Sequence, residues 1–244
     1  AAEPTKVDIN GRRFMVTGGS CTEIEPLELP KPEKVNTRSL NALVVLIKSE
    51  VDSQTENPPL YVSCNTYGGV EVFTTPNPED DLHRWQPYHA TASDLPPLVE
   101  DVRWSFDEAM IKLRSMFQRA PEGEKNDVDY ILDLLSHMSF DQSVKSDDNG
   151  ITQTVQVRKG VSFVENKAVR PIVTLAPYRT FQEVEQPVSQ FVFRIGDRGT
   201  PEFKLVEAEG GIWKTEAVRK IKDYLELVLS EQDMALRNRI TIIG

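Results

Sequence analysis

Apolar residues recur at intervals of three and four in four stretches of the chain, which is the spacing of an amphipathic helix. The apolar positions of the predicted helices are Leu40, Leu43, Val44, Ile47 and Val51; Phe106, Met110, Leu113 and Phe117; Val128, Ile131, Leu132, Leu135 and Met138; and Trp213, Val218, Ile221, Leu225 and Val228. Thr37 is the candidate N-terminal cap of the first helix, and Ser105 and Glu108 stand at capping-box spacing ahead of the second. The pattern therefore predicts about four helices.

Between these helices, runs rich in β-branched and aromatic residues are typical of strands. The predicted strands are residues 60–64, 70–74, 84–92, 140–146, 151–158, 172–175, 190–195, 203–206 and 240–243. Pro87 makes its strand an edge strand, because proline has no backbone N–H to donate to a neighbour. Asp148-Asn149-Gly150 predicts a hairpin between the two strands that flank it. We therefore expect an α+β fold, with a mostly antiparallel sheet packed by about four helices.

The N-terminal part of the chain follows a different pattern. Residues 7–17 form two alternating runs joined by Asn10-Gly11, a dipeptide that favours the positive φ angles of a two-residue hairpin turn. A proline-rich stretch, residues 26–32, follows and is incompatible with a helix or a central strand. We expect an N-terminal β-hairpin arm with a proline-rich connector over residues 1–35, and a single α+β domain over residues 36–244.

The composition is that of a globular protein, since 39% of the residues are hydrophobic and 27% are charged. The longest apolar run, residues 42–47, is too short to cross a membrane, and no signal-peptide pattern opens the chain. The two cysteines, Cys21 and Cys64, are too few for a disulfide scaffold and suit a reducing compartment. We therefore expect a cytoplasmic protein that does not bind a membrane.

The net charge limits the kinds of partner. The chain has 28 basic and 38 acidic side chains, which gives a formal net charge of −10 at pH 7. Binding to a nucleic-acid backbone needs clustered Lys and Arg, so direct nucleic-acid binding is not expected. An acidic protein favours a protein partner or a small ligand held in a pocket.

Residue types that commonly carry catalysis or bind metals are few or ambiguous. Glu79-Asp80-Asp81 and Asp147-Asp148 can supply oxygen ligands to a divalent cation, although acidic residues in turns are more simply solvated. His83 and His89 lie about 20 Å apart on a regular strand, which is too far to share one metal ion. No zinc-ligand spacing, Walker-type loop or nucleophile elbow is present. The sequence therefore predicts neither a metal site nor a cofactor.

Residues 174–187 (TLAPYRTFQEVEQP) are neither a clean strand nor an ordinary polar loop. Rigid aromatic and arginine side chains dominate binding hot spots, so this stretch is a candidate recognition surface. A second interpretation stays open, namely a well-packed crossover between two core strands. The candidate binding residues are Tyr178, Arg179, Phe181, Glu183, Gln186, Arg194 and Trp213.

The same stretch resembles part of the YfdQ-like family, whose members are encoded by phages and prophages. Further segments that resemble this family are residues 189–194 (SQFVFR), 205–214 (LVEAEGGIWK), 40–51 and 147–152 (DDNGIT). The resemblance runs from about Asn36 to the end of the sequence, and residues 85–88 depart from it. It implies a setting in the bacterial cytoplasm, during phage infection or from a resident prophage. The family offers no catalytic residues to carry over.

These observations favour a phage- or prophage-encoded cytoplasmic binding protein without catalytic activity. We expect it to be a homo-oligomer that assists phage takeover by binding a host defence component, a signal nucleotide, or a phage replication or recombination factor. Two alternatives remain open. One is a metal-dependent hydrolase that uses the loop carboxylates, and the other is a structural component of the virion whose extended arm contacts neighbouring subunits.

Overall fold

The structure is a computed structural model that describes residues 3–24, 33–52, 59–74, 87–138, 145–146, 153–159, 163–197, 201–231 and 237–244. The chain separates into two compact units, residues 1–33 and residues 34–244. The predicted α+β fold class is confirmed, with four helices and mostly antiparallel sheets in the part of the chain that is described.

The N-terminal unit is an antiparallel sheet of three strands, β1 (Thr5–Ile9), β2 (Arg12–Thr17) and β3 (Ser20–Glu23). The predicted turn at Asn10-Gly11 joins β1 to β2, with φ angles of 52° and 79°. The predicted N-terminal hairpin is confirmed by the antiparallel pairing of β1 with β2, and β3 extends it to a three-stranded sheet. A second tight turn with two consecutive glycines joins β2 to β3, and Gly19 has a φ of 113° there.

Three sheets and four helices make up the described part of the second unit. Its strands are β4 (Val35–Thr37), β5 (Leu60–Thr66), β6 (Gly69–Thr74), β7 (Tyr88–Thr91), β8 (Asp101–Ser105), β9 (Lys145–Ser146), β10 (Gln153–Lys159), β11 (Phe163–Val169), β12 (Ile172–Leu175), β13 (Ser189–Asp197), β14 (Pro201–Glu207) and β15 (Ile240–Ile243). Its helices are α1 (Leu40–Asp52), α2 (Phe106–Ser115), α3 (Asp127–His137) and α4 (Trp213–Ser230). None of these helices is long and apolar enough to cross a lipid bilayer.

The first sheet has five strands in the order β15-β5-β6-β7-β4. Its three middle strands pair antiparallel, whereas β15 pairs parallel to β5 and β4 pairs parallel to β7. The prediction that residues 84–92 form an edge strand is wrong, because β4 covers the outer side of β7. Pro87 is compatible with this pairing since it precedes β7, and its carbonyl accepts a hydrogen bond from Val35 N at 2.9 Å. Residues 84–86 lie outside the described part.

The second sheet has four strands in the order β12-β13-β14-β8 and is antiparallel throughout. A third sheet has the order β11-β10-β9, and its β9–β10 pairing confirms the predicted hairpin strands, although the turn at residues 147–150 is outside the description. Strands β8 and β11 were not predicted from the sequence. Both strands carry charged residues at alternate positions (DVRWS and FVENKAV), so their apolar runs are short.

The capping hydrogen bonds show whether α1 and α2 begin at the residues that the sequence predicts. The capping box of α2 is confirmed, because Glu108 N donates to Ser105 Oγ at 3.3 Å and Ser105 N donates to Glu108 Oε2 at 3.0 Å. The backbone hydrogen bond from Ser105 lowers the pKa of Glu108. Thr37 is not the cap of α1, because its pairing with β7 makes it the last residue of β4. Ser39 caps the helix instead, since its Oγ accepts from Ala42 N at 3.1 Å.

Among the described residues, two clusters of buried apolar side chains form the core. One packs α2 and α3 against the four-stranded sheet and β10, around residues such as Leu113 and Phe193. The other packs α1 and α4 against the five-stranded sheet, around residues such as Leu43 and Ile221. Phe181 belongs to the second cluster although it lies on the segment that joins β12 to β13. That segment therefore connects the two cores.

We expect Asn126→Ala to lower the free energy of unfolding by about 1–2 kcal/mol. Asn126 caps α3, since its Oδ1 accepts from Val128 N at 3.1 Å, and its Nδ2 donates to Gln118 O at 3.1 Å. Asn126→Asp keeps the side-chain oxygen that accepts from Val128 N, so it should lower the free energy of unfolding by less than Asn126→Ala does. Urea denaturation measures the free energy of unfolding of both variants. Equal losses of stability would show that the capping hydrogen bond is not the main contribution of Asn126.

Candidate binding site

Residues 176–188 cross from β12 to β13 without forming a helix or a regular strand. Backbone hydrogen bonds fix the first part of this crossover to the residues that follow α2. Tyr178 N donates to Met116 O at 2.9 Å, and Gln118 N donates to Ala176 O at 2.8 Å. The crossover is therefore held in place by the first core before it reaches the second.

Arg179 is the largest fully buried side chain of the crossover, with 2% of its surface exposed. Its Nη2 donates to Pro187 O at 2.7 Å and to Ser189 Oγ at 2.8 Å, and its guanidinium lies 4.2 Å from the centre of the Trp213 ring. Its Nε has no hydrogen-bond partner among the described residues. Burial lowers the pKa of Arg179 to about 10, against the opposing charges of Glu207 and Glu209, so the side chain stays a cation at neutral pH.

Gln186 closes the loop that begins at Arg179. Its Oε1 accepts from Arg179 N at 2.9 Å and from Thr180 N at 3.2 Å, while its Nε2 donates to Phe181 O at 3.1 Å. Its own backbone N donates to Gln118 Oε1 at 2.9 Å. One buried amide therefore satisfies backbone groups on both sides of the loop, which a segment without regular structure needs.

Trp213 is positioned by the turn that precedes α4. Gly210 and Gly211 have φ angles of 64° and 81°, which favour glycine, and Glu207 Oε2 accepts from Gly211 N at 3.3 Å. The indole is buried and contacts Tyr67 edge-on at 4.8 Å between ring centres. Trp213 thus receives the Arg179 cation on its face and links the crossover to α4.

The predicted site residues fall into two groups. Arg179, Phe181, Gln186 and Trp213 are buried, and their contacts are those of the packed crossover that the sequence left open as an alternative. The half-exposed residues are Tyr178, Glu183 and Arg194. Arg194 lies on β13 opposite Lys204, away from the loop that Gln186 closes. Of the seven, Phe181 and Glu183 line the pocket described next.

A pocket of about 430 Å³ lies where the start of α1, the segment after β7 and the crossover meet. The lining residues are Arg38, Ser39, Asn41, Ala92, Ser93, Asp94, Leu95, Thr180, Phe181, Gln182 and Glu183. Its volume falls in the range of small-molecule sites, and its walls combine charged, amide and apolar side chains.

Glu183 connects the crossover to the first turn of α1. Its Oε1 accepts a hydrogen bond from Asn41 N at 3.1 Å, and the carboxylate therefore lies at the positive end of the helix dipole. Asn41 Oδ1 accepts from the Tyr224 hydroxyl of α4. Burial and the nearby Glu183 charge raise the pKa of Tyr224, so this donor keeps its proton at neutral pH.

The opposite rim of the pocket carries an exposed ion pair. Arg38 Nη1 lies 3.6 Å from Asp94 Oδ2, and both side chains are 80% exposed. Asp94 has a φ of 59°, and Ser93 Oγ donates to its carboxylate at 3.3 Å. An exposed pair of this kind contributes little to stability, so its partners are available to a ligand.

Arg38, Asn41 and Asp94 line the pocket but were not among the binding residues predicted from the sequence. None of them belongs to a recognisable motif, and the three residues come together only because β4, α1 and the segment after β7 meet in the fold. A signal was available for one side of the pocket, since Glu183 and Phe181 were among the predicted binding residues.

The structure describes only some of the residues that could bind a metal ion. In the described ranges no group of three or more His, Cys, Asp or Glu side chains comes together. His137 Nδ1 lies 3.4 Å from a carboxylate oxygen of Asp133 on the same helix. His83 and the carboxylate loops at residues 79–81 and 147–148 lie outside the described residues, so the hydrolase alternative stays a prediction.

Comparison with known protein families, with curated proteins and with solved structures finds no match to the chain. The resemblance to the YfdQ-like family therefore stays a prediction from the sequence.

We expect Arg179→Met to lower the free energy of unfolding by about 2 kcal/mol, because Pro187 O and Ser189 Oγ lose a charged donor inside the protein. Methionine keeps an apolar contact with Trp213, so the loss reports the hydrogen bonds together with the cation–π contact. Arg38→Met is the matched control and should change stability by less than about 0.5 kcal/mol. Chemical denaturation compares the two, and similar losses would contradict the anchoring role of Arg179.

We expect one thiol to react with a disulfide reagent at pH 8 in the native protein and two after denaturation. Cys21 is exposed, whereas burial raises the pKa of Cys64 to about 12 and keeps that thiol protonated. Cys21→Ser should remove the native reaction and leave one slow thiol. Rapid modification of Cys64 in the native variant would contradict its burial.

Proposed function

We propose that the protein acts by binding a small ligand in the pocket at the start of α1. The observation that carries this proposal is the convergence there of Arg38, Asp94 and Glu183 around the apolar surface of Phe181 and Leu95. The loop from Arg179 to Gln186 supports one wall through buried hydrogen bonds, and a wall fixed in advance lowers the entropy cost of binding.

The charges of the pocket favour a ligand with two kinds of group. Arg38 is an exposed cation that can form charge-assisted hydrogen bonds to an anionic group such as a phosphate. Asp94 and Glu183 are acceptors for N–H donors, which the bases of nucleotides provide. Leu95 and Ala92 offer an apolar surface for a flat ring. A small nucleotide combines these properties, and it is the ligand class that we propose.

The biological setting of the proposal rests on the resemblance to the YfdQ-like family. In that setting the chain is a phage- or prophage-encoded protein of the bacterial cytoplasm, and its ligand is a signal nucleotide of the host. Binding without turnover removes such a signal from solution. A host or phage protein remains the partner to consider if no nucleotide binds.

We expect isothermal titration with a panel of linear and cyclic nucleotides to detect binding to the full chain. Arg38→Ala should weaken the affinity about tenfold, the effect of losing one charge-assisted hydrogen bond. Arg103→Ala is the matched control, because Arg103 is also exposed and also pairs with an acidic residue, Glu202, at 4.0 Å on the four-stranded sheet. It should bind like the unmodified protein.

Two results would contradict the proposal. One is the absence of heat for every nucleotide at protein concentrations well above the micromolar range. The other is equal affinity of the Arg38 and Arg103 variants, which would place the ligand outside the pocket. Chromatography of the nucleotide after incubation would detect turnover. If a product formed, the protein would be an enzyme and not a binding protein without catalytic activity.

A further inference from the structure

The three-stranded sheet of the N-terminal unit has two faces of different chemistry. Residues directly opposite each other in antiparallel strands share a face, and the register pairs Val7 with Phe14 and Val16 with Cys21. Ile9 lies two residues from Val7 and therefore projects to the same side. We call this set the apolar arm face. The opposite face carries Lys6, Asp8, Arg13, Met15 and Thr22.

The apolar arm face is accessible. The exposed fractions of Val7, Ile9 and Val16 are 37%, 51% and 38%, and Phe14 is half-buried. None of the described residues 3–24 is buried. Exposed apolar side chains that share one face are typical of a surface that binds a partner.

A unit of this size needs additional contacts to be stable. It spans 33 residues, and domains below about 40 residues usually depend on disulfides, metals or oligomerisation. Cys21 and Cys64 are free, and the described residues contain no group of three metal-binding side chains. Oligomerisation through the apolar arm face supplies the missing burial of apolar surface.

The charged residues on the apolar arm face indicate which kind of partner it can bind. Within the strands, Arg12 and Glu23 are the charged residues on the apolar arm face, and Arg12 Nε lies 3.6 Å from Glu23 Oε1. The face therefore carries no net charge, whereas the whole chain carries −10. A two-fold contact brings identical faces together, so it requires a surface that complements itself. A neutral face with one cation and one anion meets this requirement.

We propose that the apolar arm face binds the same face of a second copy of the chain. In this contact Val7, Phe14 and Val16 pack against their counterparts, and Arg12 pairs with Glu23 across the two-fold axis as well as within one copy. Because three strands offer less than the roughly 800 Å² per partner of a standard interface, we expect a dissociation constant in the micromolar range. The proposal does not depend on the pocket, which lies entirely in residues 34–244.

Sedimentation equilibrium of the full chain over micromolar to submillimolar concentrations tests the proposal. Val16→Lys places a charge on the middle strand of the apolar arm face, and Thr22→Lys places the same charge on the opposite face. We expect the unmodified chain and Thr22→Lys to dimerise, and we expect Val16→Lys to raise the dissociation constant at least about tenfold. Thermal melting confirms that both variants are folded.

Crosslinking gives a second measurement with the native cysteines. Cys21 lies on the apolar arm face and is exposed, while Cys64 is buried and serves as an internal control. A short bis-maleimide should produce a covalent dimer at micromolar concentration, and Cys21→Ser should abolish it. The dimer should form less in Val16→Lys than in Thr22→Lys.

Three outcomes would overturn the proposal. The first is a strictly monomeric chain at every concentration. The second is equal association of the two lysine variants, which would place the contact elsewhere on the chain. The third is a monomer that loses thermal stability in Val16→Lys but not in Thr22→Lys, since the face would then be covered within a single chain.

Discussion

A cation buried without a carboxylate in direct contact, among the residues that the structure describes, constrains much of this fold. Removing the Arg179 guanidinium from water is unfavourable, and the chain offsets this with the Pro187 carbonyl, the Ser189 hydroxyl and the face of Trp213. These groups come from the crossover, from β13 and from α4. Satisfying one side chain therefore fixes three elements relative to each other. Gln186 completes the arrangement by satisfying the backbone of the loop between them.

This constraint explains why the pocket has one fixed wall and one adaptable rim. Phe181 is held in the second core and Glu183 is bonded to the start of α1, so the crossover side has little freedom. Arg38 and Asp94 on the other side are exposed and paired only with each other or with Ser93 among the contacts that the structure describes. A ligand can therefore recruit the rim charges without disturbing either core.

The candidate site was predictable only in part. Aromatic and arginine residues between two prolines set residues 174–187 apart in the sequence, but the composition of a segment does not tell a recognition surface from a packed crossover. Arg179 illustrates the difficulty, since arginine is usually exposed and its burial depends on Ser189 and Trp213. Arg38 and Asp94 carried no local signal, because the pocket forms from segments that are more than fifty residues apart in the chain.

Elements with a local cause were predictable from neighbouring residues alone. The periodicity of α1 to α4, the capping box at Ser105 and the turn at Asn10-Gly11 depend on residues within a few positions of one another. The end of a strand at Thr37 and the position of β7 inside a sheet depend on long-range contacts, because both follow from the pairing of β4 with β7. The same holds for the burial of Arg179, which requires groups brought together across the whole second unit.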